Sequence, residues 1–182
     1  MVEFSLIALL LLLLTLGMVD FGHAWYQWNS AEKATQVGVR AAVISDPVAV
    51  ELADFDCDNG SIALGTPCRD PGASTFGTIV CDGSTSTCSG GNTFSPDALA
   101  LILAPMQKVY PRVQASNVIV EYIDVRLGFA GREAPVPEVR VSLTGLTFNY
   151  AFLGGLLGFS NITMPDFHAS LVGEDLSSAG TS

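Results

Sequence analysis

Positive charge is scarce in this chain. Eight Lys and Arg stand against 18 Asp and Glu, a net charge of -10, which repels phosphate backbones and argues against nucleic acid as a partner. No Lys or Arg precedes Lys33, so the basic start of a cleavable secretory signal is missing, although Gly22 and Ala24 could supply small residues for a cut. The chain has no C-x-x-C pair, no G-x-S-x-G turn and no phosphate-binding glycine loop. Histidine is limited to His23 and His168, neither within a metal or triad motif. These absences remove the usual hydrolase and nucleotide-binding readings, and no enzyme is expected.

What is present begins with an apolar run. From Phe4 to Val19 every residue except Ser5, Thr15 and Gly17 is strongly apolar, a length of about 24 Å as a helix and about 33 Å if extended to Trp25. That is enough to cross the hydrocarbon layer. Asp20 closes the run, and Trp25, Tyr26 and Trp28 follow it where interfacial belts form, so these four residues are expected to fix the depth of a single membrane helix. Glu3 stands at the other edge. An ionised side chain at the centre of a bilayer costs roughly 2.5 to 3.5 kcal/mol and less near its edge, so the plain account of Glu3 is an interfacial acid reaching for water. Residues 1–28 are therefore read as a transmembrane helix with its interfacial belt.

Residues 29–45 read as an extension of the same helix. Ala31, Ala34, Val37, Ala41 and Ile44 recur at three- and four-residue steps, with Glu32, Lys33, Gln36 and Arg40 between them, and Asp46-Pro47 should stop the helix near Ser45. The small apolar stripe is expected to pack on the chain's own head domain rather than on a neighbouring helix.

From 46 to 94 both periods disappear while Gly, Ser, Thr and Asp accumulate, so this region reads as loop. It holds all four cysteines, Cys57, Cys68, Cys81 and Cys88, whose separations do not match zinc-site spacings but suit a disulfide staple in an oxidising compartment. Four cysteines allow three connectivities that sequence does not separate; the local pairs, Cys57 with Cys68 and Cys81 with Cys88, are the expectation. Asp54, Asp56 and Asp58 alternate in DFDCDNG, a spacing that lets carboxylates converge on calcium. The EF-hand template then fails, because Asn59 replaces the turn glycine and Gly65 stands where a bidentate glutamate is needed. A solvated acidic turn is the alternative, and no other cofactor is implied.

Residues 95–182 read as a helix followed by an antiparallel sheet. Ser95-Pro96-Asp97 is a helix start, Leu99, Ile102, Leu103 and Met106 mark its buried face, and Pro105 should kink the helix or end it early. Val118, Val120 and Tyr122 alternate with Ile119, Glu121 and Ile123, Gly128 to Pro137 reads as a turn, and Val139, Val141 and Leu143 alternate with Arg140, Ser142 and Thr144. A third strand is expected from Ile162 to Val172, with Ile162, Met164, Phe167, Ala169 and Leu171 inward and a bulge or edge at Pro165. Three strands without intervening helices form a meander, one face of which the helices must cover. The fold class is thus α+β: a long N-terminal membrane helix carrying a head with a three-stranded antiparallel meander and a disulfide-stapled loop. Between the last two strands lies AFLGGLLGF, apolar enough either to fold over the sheet or to contact a partner or membrane through Leu156 and Leu157.

The stretch VEFSLIALLLLLLTLGMVDFGHAWYQWNSAEKATQVGVRAA resembles the N-terminal signature of TadE-like proteins, minor pilin-like subunits of tight-adherence pili. The residues carrying the resemblance are Glu3 and Phe4, then Asp20, Gly22, Ala34, Gly38, Arg40 and Ala41. His23 stands where that family usually has Arg, and the apolar run lacks a proline often found there. Family precursors resemble prepilins with a short basic leader, whereas only Met1 and Val2 precede Glu3, so the leader is expected either upstream of this start or not in use. The resemblance implies a subunit acting in pilus assembly, in which Glu3 and Phe4 set axial register, the Glu3 carboxylate pairing with the N-terminal amine of a neighbouring subunit. It implies other pilin-like subunits and the pilus machinery as partners, and single-pass residence in the inner membrane with the head periplasmic or extracellular. The competing expectation is a membrane-anchored surface binding or adhesion module, with or without calcium.

Overall fold

The computed structural model describes residues 2–131, 136–150, 152, 154, 158, 161–173 and 176. A single helix, α1 (Val2–Ala42), runs through 41 residues, about 62 Å at the α-helical rise. It stops three residues short of Ser45, and the Ser45 hydroxyl donates to the carbonyl of Ala41 at 2.8 Å to close the last turn. Between Glu3 and Val19 no side chain of α1 is buried, whereas from Asp20 onward one face of the helix is covered by the head.

The head begins with two short strands, β1 (Thr78–Asp82) and β2 (Thr87–Cys88), followed by the helix α2 (Pro96–Val109). Then come β3 (Val118–Leu127), β4 (Val136–Leu143), β5 (Thr147–Phe148), β6 (Ile162–Thr163) and β7 (Phe167–Val172). The main sheet has five strands in the order β2-β1-β3-β4-β7, with every neighbouring pair antiparallel. Val118 pairs with Leu143 and Tyr122 with Val139, so the alternation in β3 and β4 places Val118, Val120, Tyr122, Val139, Val141 and Leu143 on one face, each 0% exposed. α1 packs on β4, β7 and α2, covering that face.

Three expectations change. The sheet is wider than a three-stranded meander, because TIVCD of the cysteine region pairs with β3 from Thr78–Ile123 to Asp82–Ile119. The single strand expected over Ile162 to Val172 is two: β6 leaves the main sheet to pair with β5, and only β7 lies beside β4. Pro165, which has no N–H to give a ladder, lies between them. Ile162 and Leu171 are accordingly exposed, at 51% and 41%, while Met164 and Phe167 are buried. Strand β4 also starts at Val136, inside the stretch read as turn.

Helix α2 starts as its sequence indicates, with the Ser95 hydroxyl accepting from the Ala98 N–H at 3.2 Å and Pro96 at the first position. It does not end at Pro105 but runs on to Val109. The proline deprives only the carbonyl of Leu101 of a partner, and Leu101 is on the solvent side of the helix, where water can replace it.

The buried face of α1 also differs from the expected stripe. Ala31, Ala34, Thr35, Gly38, Val39 and Ala42 are buried, Val37 and Ala41 only partly, and Ile44 is 62% exposed. At Gly38 the two helices meet so closely that an added Cβ would stand 2.6 Å from the Met106 sulfur. Small residues here serve close approach rather than a hydrophobic stripe of the usual bulk.

Candidate functional site

The free half of α1 presents Glu3 and Phe4 at its start, Phe4 being 78% exposed. Large apolar side chains project on all sides of it, Leu6, Ile7, Leu9, Leu10 and Leu11 each remaining exposed. A helix apolar all round and largely exposed is suited to lipid or to other helices, not to water. By length and composition it can cross a membrane, and it fits single-pass anchoring.

The transition to the head occurs at Asp20. Its side chain is 1% exposed, and both carboxylate oxygens accept from the Phe152 N–H, at 3.3 and 3.2 Å. Asp20 is therefore not presented to headgroups or water as an interfacial acid; it is enclosed by the head. One turn on, His23 meets Phe148 edge to face at 5.8 Å, and its Nε2 lies 3.0 Å from the Gln27 amide. Gln27 is 3% exposed and accepts from the Tyr110 hydroxyl at 3.5 Å. Asp20, His23 and Gln27 thus place polar groups along the covered face of α1, each hydrogen-bonded as buried polar groups require.

Of the aromatic residues, Trp25 and Tyr26 remain 63% and 68% exposed, joined by Phe21 at 71%. Trp28 turns toward the head and packs edge-on against Phe167 at 5.0 Å. Phe21, Trp25 and Tyr26 are therefore the most exposed of the group, with Trp28 partly covered at 40%.

Tyr110 leads from α1 to an open polar groove of about 290 Å³, lined among others by Arg112, Gln114, Asn117, Thr147 and Asn149. Burial raises the Tyr110 phenol above its ordinary pKa, partly offset by the nearby Arg112. The site arises where α2 ends and the chain turns toward β3 and β5.

Elsewhere, the structure joins Cys57 to Cys68 and Cys81 to Cys88, the latter across the β1–β2 pair. Asp56 accepts from the amides of Asp58 and Gly131, and Asp58 accepts from Gly60. Together with Asp54 they form no group of three or more ligating side chains able to hold a metal, among the described residues. His168 sits on β7 opposite Ser142, exposed beside the buried Phe167. Leu156 and Leu157 lie outside the described residues.

Helix α1 is thus half free and half locked into the head by small residues. Residues 1–40 match the family model of the TadE-like protein. The matched segment lies within α1, from Glu3 and Phe4 through Gly38 to Arg40, and stops before the strands and α2. No curated protein and no solved structure matches the chain.

Proposed function

We propose that this chain is a minor pilin-like subunit that acts in assembly of a tight-adherence pilus, through packing of its N-terminal helix against those of other subunits in the membrane. The observation that carries the reading is the bare apolar half of α1, which opens the segment that matches the TadE-like family and whose other half forms a wall of the head. A subunit of this kind offers one surface to lipid and to companion helices while its head stays intact. Glu3, at the exposed start of α1, pairs with the N-terminal amine of a neighbouring subunit and sets axial register, since an acid in a low-dielectric layer is tolerable when a cation meets it. Phe4 beside it fills the contact between helices.

The chain sits in the inner membrane with the head on the far side from the cytoplasm. Two disulfides in a loop-rich region support that side, because cytoplasmic thiols are kept reduced. The partners are other pilin-like subunits and the assembly machinery, and the role is structural rather than catalytic.

The test is Glu3→Leu in the full chain, scored for membrane insertion and for co-purification with the other pilus subunits. Insertion should be unchanged and co-assembly lost. Equal co-assembly by the variant would overturn the register role, and loss of insertion would place Glu3 in targeting instead.

A further inference from the structure

We propose that the open polar groove between the end of α2 and β5 seats the headgroup of an anionic phospholipid, with Arg112 receiving the phosphate and Thr147 and Asn149 receiving the hydroxyls of a glycerol headgroup. This rests on the reading of α1 as a membrane helix, and it gives the head a lipid that it selects.

The groove stands at a defined level along α1. Its Tyr110 wall is tied to the helix by the hydroxyl that donates to Gln27, and its β5 wall by Phe148 against His23. His23 and Gln27 follow Asp20 by one and two turns, roughly 4.5 and 10.5 Å along the axis. Asp20 directly follows the apolar run, and headgroups add about 5 to 7.5 Å beyond the hydrocarbon on each side of a bilayer. The two walls therefore bracket headgroup depth. The exposed Trp25 and Tyr26 lie on the same stretch of helix, at the level where interfacial aromatic side chains settle.

The chemistry of the groove favours an anion. On a chain of net charge -10, the charged side chain lining it, among the described residues, is Arg112. Arg112 is exposed, its guanidinium lies near the Tyr110 phenol, and no carboxylate of the described residues pairs with it. Five N–H donors can meet the phenol and still hold a phosphate.

The neutral side chains select the rest of the headgroup. Asn117 is committed to the wall itself, donating to the Thr144 carbonyl at 3.0 Å and accepting from the Gln114 N–H at 3.1 Å. Thr147 and Asn149 flank Phe148, which faces α1, so the alternation of extended chain turns both to the opposite, exposed side. Hydroxyl and amide groups donate and accept, as the hydroxyls of glycerol require. No carboxylate among the described lining residues is present to receive the ammonium of a zwitterionic lipid. At about 290 Å³ the groove is at the small end of ligand clefts, a size for a headgroup and not for acyl chains.

Fluorescence of the full chain in vesicles tests this. Its only tryptophans, Trp25 and Trp28, flank Gln27 closely in α1, so they report which lipid stands beside the groove. Phosphatidylglycerol brominated on its acyl chains, as a minor component of phosphatidylcholine vesicles, is compared with brominated phosphatidylcholine at the same fraction. The salt is held at about 0.15 M, where charges beyond about 8 Å are screened. Quenching by the glycerol lipid should exceed that by the choline lipid about two- to fivefold, the range that one exposed charged contact provides. Arg112→Gln should abolish the excess and Thr147→Val with Asn149→Ala should reduce it, whereas Arg69→Gln, an equal loss of charge in the cysteine-containing loop, should retain it. Equal quenching by the two lipids in the parent, or an excess unchanged in the groove variants, overturns the inference while leaving the membrane helix in place. An equal loss of the excess in Arg69→Gln overturns it in favour of bulk charge. Loss of the excess on adding glycerol phosphate or inorganic phosphate overturns it in favour of a soluble anion. Absence of quenching by either lipid removes the membrane reading and the inference with it.

Discussion

The hydroxyl of Tyr122, at the centre of the sheet, accepts a hydrogen bond from the amide of Val48 at 2.8 Å, tying β3 to the segment that leaves α1. Both residues are 0% exposed. Tyr122→Phe leaves the Val48 N–H buried without its partner and should destabilise the head by about 1 to 3 kcal/mol. Thermal unfolding followed by near-UV circular dichroism measures the loss, and an unchanged midpoint would show that the amide has another acceptor.

The same phenol gives the fold an alkaline limit. Burial raises its pKa far above the ordinary 10.0, so the folded state keeps the proton that the unfolded chain gives up. A raised folded pKa means the contribution is complete below the unfolded value and falls as pH rises above about 10. Denaturant midpoints from pH 8 to 11 should decline on the alkaline side, and the decline should be smaller in Tyr122→Phe.

Glu51 acts at the other end of the scale. Its carboxylate accepts from the Thr93 hydroxyl and amide, both at 2.6 Å, and these bonds hold its pKa below the ordinary 4.5. A lowered folded pKa gives stability that is present above the unfolded value and lost as pH falls through the folded one. Glu51→Gln should therefore lower stability at pH 7 and flatten part of the acid-side decline, so that variant and parent converge at low pH. An identical acid profile in the variant would rule this contact out as a contributor.

Gly38 and Met106 form the closest approach of α1 and α2. Alanine at 38 gains up to about 1 kcal/mol in helix propensity but meets the fully buried Met106 sulfur at 2.6 Å. Valine adds bulk without that gain, and Gly38→Val should cost about 1 to 3 kcal/mol through overpacking. Adding Met106→Ala should recover part of the loss, and a double-mutant cycle with no coupling would refute direct contact as the cause.

Removal of the disulfides should be measurable without loss of the sheet. Replacing Cys57 and Cys68 by Ser, or Cys81 and Cys88, opens loops of 11 and 7 residues, worth about 2 to 3 kcal/mol each in the chain-entropy account. Chemical denaturation of each paired variant gives the comparison, and a change below the error of the extrapolation in both would leave the staples without a stabilising role.

Local chemistry made much of this fold legible. The alternation in β3 and β4, the Ser95 cap and the apolar run of α1 each declare themselves within a few residues. What stayed hidden depends on remote partners. TIVCD is too short to be separated from loop until β3, some 40 residues away in sequence, lies beside it. The third strand divides at Pro165 because β6 finds β5, a pairing that no local pattern encodes. The covered face of α1 was present in the spacing of Asp20, Ala24, Gln27, Ala31, Ala34, Gly38 and Ala42, at steps of three and four. Beyond Ala31 and Ala34 it escapes a hydrophobic pattern, because an acid, an amide and a glycine do not register as core residues. The deciding contact at the candidate site, between Asp20 and the Phe152 amide, joins residues 132 apart.

Because α1 is at once a bare stalk and a wall of the head, it has no hinge between the two. Traction on the stalk is carried straight into the Gly38–Met106 junction and the sheet behind it, so the head should tilt with the rod as one rigid lever. Detaching the rod would mean breaking open the interior, so the junction yields only when the core does.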